Sequence, residues 1–267
     1  MQFVTFLKPK PLVGLILPCG QRVMPLDPSD GWPGSLLEVI ERFDELRPRL
    51  ATLEESDLPT MAIDQVQLDA PIRDSEKLIC IGKNYADHAR EMDGDVPEIP
   101  VVFSKFASAI NAPGAAVVLP TISDQVDFEA ELVVVIGKQG RNVAADKAME
   151  HVFGYCCGND ISARDWQKGK PGGQWLMGKT FDTFAPLGPA VVTADEVGDP
   201  HDLSIQLRLN GETMQSASTA DLIFRIDFLI EHVTKFFTLR PGDLIFTGTP
   251  SGVGAGRNPQ LFLKSGD

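Results

Sequence analysis

A strand-rich α+β fold is what this sequence predicts, and three observations carry that reading. Short β-prone runs recur along most of the chain, bounded by Gly and Pro turns. After residue 71, only 144–152 and 219–237 repeat apolar residues at helical spacing. Strands and helices do not alternate regularly, which disfavours a doubly wound parallel sheet.

Taken in order, residues 3–7 and 12–17 read as two strands divided by Pro9 and Pro11. A helix is expected from Ser35, with Glu38 three residues on as in a capping box. Leu36, Leu37, Val39, Ile40 and Phe43 form its apolar face, and Leu46 is reached before Pro48. The apolar segment 66–68 leads to Pro71, where a boundary is placed. Residues 1–70 are then a small N-terminal α/β domain without catalytic groups, and 71–267 the main domain. Strands are expected at 77–81, 101–103, 116–119, 129–136, 190–192, 205–209 and 244–246. In 219–237, Leu222, Ile223, Ile226, Leu229, Ile230 and Val233 make a core helix. The closing Leu263-Lys264-Ser265-Gly266-Asp267 repeats the turn pattern of Leu239-Arg240-Pro241-Gly242-Asp243, which introduces a strand. From that pattern a further C-terminal strand is expected in the natural chain.

Composition narrows the function classes. Among 267 residues, 24 Lys+Arg against 37 Asp+Glu give a net charge of −13, which argues against a nucleic-acid partner. An anionic substrate must then be neutralised locally, by a metal ion or a few placed cations. No apolar run approaches a membrane span, and residues 1–7 are too short for a signal peptide. Cys19, Cys80, Cys156 and Cys157 form no C-x-x-C pair, so reduced thiols and a cytoplasmic location are expected.

Five constellations could carry chemistry. Glu129 and Glu131, two apart in a strand, share a face roughly 6–7 Å apart. Ahead of the apolar Leu132-Val133-Val134-Val135-Ile136 they either lie solvated at a strand end or need a cation such as Mg²⁺ or Ca²⁺. In Asn159-Asp160-Ile161-Ser162-Ala163-Arg164-Asp165-Trp166-Gln167, Asp160 could add a third oxygen ligand. Arg164 and Gln167 could hold a substrate carboxylate, but spacing alone favours an Asx-turn at Asn159-Asp160 with Arg164 paired to Asp165 or another acid. His88 and Glu91, three apart on one helical face, form either a water-activating dyad or a surface ion pair. Lys179 is a lone cation among apolar residues, a substrate clamp or a snorkelling side chain. The turn Thr247-Gly248-Thr249-Pro250-Ser251-Gly252-Val253-Gly254 could aim backbone N–H groups at an anion or be a simple turn. His151, His201 and His232 have no such setting and read as structural. G-x-S-x-G, P-loop and H-E-x-x-H patterns are absent from the sequence.

In this order the pieces resemble the fumarylacetoacetate hydrolase family, from about residue 77 to 267. The resemblance rests on Gly82-Lys83-Asn84-Tyr85-x-x-His88, Phe103-Ser104-Lys105, Asp127-x-Glu129-x-Glu131-Leu132 and Asn159-Asp160-x-Ser162-Ala163-Arg164-Asp165-x-Gln167. Gly178-Lys179-x-Phe181-Asp182 and Thr247-Gly248-Thr249-Pro250-x-Gly252-Val253-Gly254 complete it, and residues 174–189 are most similar to the domain-containing protein 2 branch. The resemblance implies a mixed β-sandwich roll, a homodimer, and Mg²⁺ (Mn²⁺ or Ca²⁺ as substitutes) held by Glu129, Glu131 and Asp160. It implies catalytic roles for His88, Glu91 and Lys179, and substrate contacts for Arg164, Gln167 and Thr249. Residues 85–97 would form a mobile lid.

The expected reaction is hydrolytic C–C cleavage of an acylpyruvate or other 2-oxo acid through a metal-stabilised enolate, with His88 deprotonating water. Alternatives within the family are oxaloacetate keto–enol tautomerisation, decarboxylation, 2-hydroxyhepta-2,4-diene-1,7-dioate isomerisation and ureidoglycolate cleavage. A different class, a non-catalytic metal-dependent small-molecule binding protein, would be expected to lack the dyad or Lys179, and both are present.

Overall fold

A computed structural model describes residues 1–53, 59–91 and 95–267. An 11-stranded mixed sheet organises the chain, as the strand-rich expectation requires. Across it the strands run Met61–Ala62, Arg22–Pro25, Pro11–Ile16, Gln2–Leu7, Val191–Thr193, Val152–Asn159, Ala130–Ile136, Leu244–Phe246, Leu78–Gly82 and Val101–Lys105. Gln67–Asp69 pairs beside Thr5 to Leu7. Leu244–Phe246 runs parallel to Leu78–Gly82, and the other pairings of this sheet are antiparallel.

The apolar run at 132–136 is explained by burial on both faces of this sheet. Val133 and Val135 join a core with Phe3, Leu36, Val39, Ile40, Leu46 and Leu50. Leu132, Val134 and Ile136 point the other way, against Ile226, Leu229, Ile230 and Val233 of the helix Ile226–Thr234. Those four fully buried side chains stabilise the packed helix by roughly 6–12 kcal/mol gross, at about 1.5–3 kcal/mol each. The N-terminal strands extend the same sheet, with Gln2 opposite Val192 and Phe3 opposite Val191.

Several elements differ from the sequence reading. Ser35 does cap a helix, accepting from the Glu38 amide at 3.2 Å, but Leu36–Glu41 is followed by a second helix, Phe43–Leu53, that contains Pro48. Proline removes one backbone donor; the carbonyl it leaves belongs to exposed Asp44, where water can serve, while Leu46, Leu50 and Leu53 supply the burial. The segment 219–237 is not one helix. Asn84 holds it extended after the turn Thr219–Asp221, its main-chain carbonyl taking the Ile223 amide at 2.9 Å and its Oδ1 the Phe224 amide at 2.7 Å. The helix starts only at Ile226, whose amide donates to His201 Nε2 at 3.1 Å. Residues 116–119 form no strand: side chains satisfy this backbone, Asn111 Nδ2 donating to Ala116 O at 3.0 Å and Thr183 Oγ1 accepting from Val118 N at 2.9 Å. The helix expected at 144–152 shortens to Ala145–Ala148 plus the turn Met149–His151, because Val152 already belongs to a strand. That strand, Val152–Asn159, and Glu212–Ser218 went unread in the sequence. Among the described residues, no helix is long and apolar enough to cross a membrane.

Candidate active site

One antiparallel register builds the centre of the site. Glu131 faces Gly158 and Ala130 faces Asn159 where Ala130–Ile136 pairs with Val152–Asn159. One step outward, the Asp160 amide donates to the Glu129 carbonyl, and Asn159 Oδ1 accepts from the Glu129 amide, both at 2.9 Å. Glu129 therefore lies just before the strand rather than in it. The two chain segments bring one carboxylate oxygen each of Glu129, Glu131 and Asp160 within 4.8 Å of one another, all buried. A solvated strand end is thereby excluded.

Three buried cations surround these acids. Lys179 Nζ donates to Glu129 Oε2 at 2.7 Å and to Asp160 Oδ2 at 2.6 Å, so it does not snorkel to solvent. Arg164 lies across Asp127 and Glu129: its Nε donates to Asp127 Oδ2 at 2.8 Å, and its Nη2 is 2.7 Å from Glu129 Oε1. Arg164 Nη1 donates to Gln167 Oε1 at 2.9 Å. Lys105 Nζ gives its protons to the carbonyls of Ile161, Lys179 and Phe184. Asp160 Oδ1 lies 2.7 Å from that ammonium and pairs with its charge.

Ionisation follows this arrangement. Burial alone would raise the Glu129 carboxyl, but Lys179, Arg164 and His88 hold it well below the usual range. Burial pushes Glu131 well above that range, and Asp160 and Glu129 add to the effect; the Gly248 N–H, 2.8 Å from Oε2, only partly opposes it. Burial also disfavours the Lys179 ammonium, yet Asp160 and Glu129 raise its pKa on balance. For Lys105 burial wins and lowers it. Glu131 is thus a carboxylate short of positive charge beside the buried acids Asp160 and Glu129. Three converging carboxylates with that deficit suit a hard divalent cation such as Mg²⁺, Mn²⁺ or Ca²⁺.

The remaining candidates border the same cleft. His88, on the helix Ala86–Glu91, lines it together with Glu129, Glu131, Arg164, Gln167, Lys179 and Thr249. At 6% exposure His88 is not part of a surface ion pair. Its Nδ1 lies 3.4 Å from Glu91 Oε2, which leaves Nε2 for the cleft. Glu91 sits behind His88, its two oxygens 2.9 and 3.1 Å from the Gly252 amide. Of the lid expected at 85–97, residues 92–94 lie outside the described residues. The Thr249 hydroxyl is engaged by the protein, donating to Ala130 O at 2.9 Å and accepting from Gln215 Nε2 at 2.8 Å.

The glycine turn does aim N–H groups at anions, and these are the protein's own carboxylates: Gly248 serves Glu131, Gly252 serves Glu91, and Gly254 serves Asp127 at 2.7 Å. Gly248, at φ 103, has no room for a side chain, since a Cβ would lie 2.7 Å from that of Asn84. Sequence reasoning missed Asp127 and Lys105, which hold Arg164 and face Asp160. Each stood inside a quoted motif, but its partner lies 37 or 55 residues away.

Known proteins resemble this chain over most of its length. The model of the fumarylacetoacetate (FAA) hydrolase C-terminal family matches residues 77–267. A Bos taurus protein named oxaloacetate tautomerase FAHD2A, mitochondrial, is 49% identical over 235 residues, 88% of this chain and 75% of its own. The structure of fumarylacetoacetate hydrolase from psychrophilic Exiguobacterium antarcticum superposes with a TM-score of 0.82 at 36% identity, covering 99% of this chain and 92% of that one. Maleylpyruvate hydrolase from Sphingobium sp. SYK-6, in complex with manganese(II) ion and pyruvate, gives 0.81 at 32% identity over 95% and 90%. The chain belongs to the fumarylacetoacetate hydrolase family, whose members are enzymes.

Proposed function

We propose that this enzyme interconverts the keto and enol forms of a short 2-oxo diacid of the oxaloacetate type, in place of the hydrolytic C–C cleavage expected first. The observation that carries the proposal is a histidine backed by a carboxylate, His88 with Glu91, on the same small cleft as the Glu129–Glu131–Asp160 cluster. The name of the bovine relative supports it. A keto–enol exchange needs one proton removed from carbon and one delivered to oxygen, and no water nucleophile.

Glu129, Glu131 and Asp160 would hold a divalent ion, with Mg²⁺ as the proposed physiological metal and Mn²⁺ supported by the maleylpyruvate hydrolase complex. When bound, that ion supplies Lewis-acid chemistry toward the 2-oxo acid. Arg164 and Gln167 orient the substrate carboxylate, the guanidinium being fixed by Asp127. His88 Nε2 moves the carbon-bound proton, and Glu91 steadies the imidazolium that forms. Lys179 stays charged and balances negative charge growing on the substrate oxygen. Thr249 serves as cleft wall, its hydroxyl already held.

Decay of enol-oxaloacetate absorbance, followed in stopped flow with and without Mg²⁺, tests the reading. His88→Ala should lower kcat about 10²–10⁴-fold with little change in KM. Unchanged kcat, or turnover that survives removal of divalent ions, would refute it. Hydrolysis is the second reading, favoured by the maleylpyruvate hydrolase and fumarylacetoacetate hydrolase likenesses; pyruvate release from an acylpyruvate distinguishes it. A homodimer and an aqueous compartment are proposed alongside. The compartment is the cytoplasm, as read from the sequence, or the mitochondrion, as in the bovine relative's name. Sedimentation and cell fractionation test these.

A further inference from the structure

Lys83 borders the catalytic cleft but has no part in the mechanism above. Three other cations border that cleft and all are engaged: Arg164 by Asp127 and Glu129, Lys179 by Glu129 and Asp160, and Lys168 by an interaction of its own. Among the described residues the Lys83 side chain makes no ion pair and no hydrogen bond. Its backbone is also unusual, with φ at 55°, in the left-handed region where a residue without Cβ is the low-strain choice.

The chain around it is held firmly. Leu78–Gly82 is paired on both sides, by Leu244–Phe246 and Val101–Lys105. Asn84 Nδ2 donates to Phe224 O at 3.0 Å and Thr247 O at 2.8 Å. The strained turn is therefore imposed by fixed neighbours, and only the long side chain is free to adapt. A flexible cation on a rigid, left-handed turn beside an active cleft points to a ligand rather than to packing.

Charge balance indicates which ligand. Asp127, Glu129, Glu131 and Asp160 face Lys105, Arg164 and Lys179. A divalent cation at the carboxylates leaves this group with positive charge sufficient for one substrate carboxylate. A second carboxylate on the same molecule needs its own cation. We infer that Lys83 sets specificity for dicarboxylates, its ammonium receiving the carboxylate remote from the Glu129–Glu131–Asp160 cluster. The inference rests on the 2-oxo diacid reading and names the side chain that would receive the second carboxylate.

Binding of two inert probes tests it on Mn²⁺-loaded protein by calorimetry: malate, with a distal carboxylate, and lactate, which lacks one. Wild type should prefer malate. Lys83→Met should reduce that preference about ten- to a hundredfold, the range for a hydrogen bond between charged groups, with lactate affinity unchanged. Lys83→Gly removes the cation while relieving the backbone, so it separates loss of charge from loss of fold; it should bind as Lys83→Met does. Lys83→Arg should keep the preference. An unchanged preference, an equal loss for both acids, or no binding of either acid to wild type overturns the inference. Enol-oxaloacetate turnover is measured separately. No turnover, with a malate preference that depends on Lys83, removes the tautomerase reading alone. Turnover with a preference that ignores Lys83 removes this inference alone.

Discussion

Removing the Lys179 ammonium exposes how the carboxylate cluster is balanced. Lys179→Met keeps the length and apolar contacts of the side chain but leaves Glu129 Oε2 and Asp160 Oδ2 without their donor at 2.7 and 2.6 Å. Lys179 is 2% exposed and its two partners are buried, so solvent screening does not discount the loss. Breaking a buried pair by deleting one partner costs about 3–5 kcal/mol. For a chain of this size, where 1 kcal/mol moves Tm by about 2–4 °C, the metal-free variant should melt roughly 6–20 °C below wild type. A divalent cation held by these carboxylates would supply the missing charge, so saturating Mg²⁺ should raise Tm more in the variant than in wild type. Differential scanning calorimetry in EDTA and then in Mg²⁺ gives both differences. A metal-free variant within 2 °C of wild type, about 1 kcal/mol at most, would show that Lys179 does not balance these acids. Equal metal-induced rises would show that lysine and metal act at separate places.

Other perturbations read other parts of the structure. Glu131→Ala should abolish the metal-induced rise in Tm, which at a hundred times Kd amounts to about 2.7 kcal/mol; a retained rise would strike Glu131 from the ligand set. Gly248→Ala should destabilise the protein and weaken metal binding together, because its Cβ would meet that of Asn84 at 2.7 Å next to the amide that serves Glu131; unchanged melting with and without Mg²⁺ would count against this. His201 makes stability pH-dependent. Burial first, then Arg225, lower its pKa, and Asp199 and Asp227 only partly compensate. The native state thus refuses a proton that the unfolded chain accepts below about pH 6.5, so this group's contribution falls as pH drops through that value and is flat above it. The urea midpoint should fall more between pH 7.5 and 5.5 in wild type than in His201→Gln; equal falls would clear His201.

The parts of this protein legible in the sequence were those governed by near neighbours. Leu244–Phe246 and Leu78–Gly82 announced themselves because a strand buried on both sides needs a continuous apolar run, and Ser35 because a helix start must cap its own amides. Glu129, Glu131 and Asp160 could be nominated from spacing and resemblance, since two of them are neighbours along the chain. Choosing between a solvated strand end and a buried carboxylate cluster required the register that sets Asp160 beside Glu129. Position along the chain also said nothing of what neutralises these acids. Arg164 meets Asp127, Lys105 meets Asp160, and Gly248 meets Glu131 across 37, 55 and 117 residues. Local propensity failed for the same reason at 219–237, where periodicity predicted one helix. Asn84, 140 residues before Phe224, takes the amides that such a helix would have used. Periodicity reports which face of a segment is apolar; which backbone and charged groups find partners depends on distant chain, and only the folded sheet brings that chain within reach.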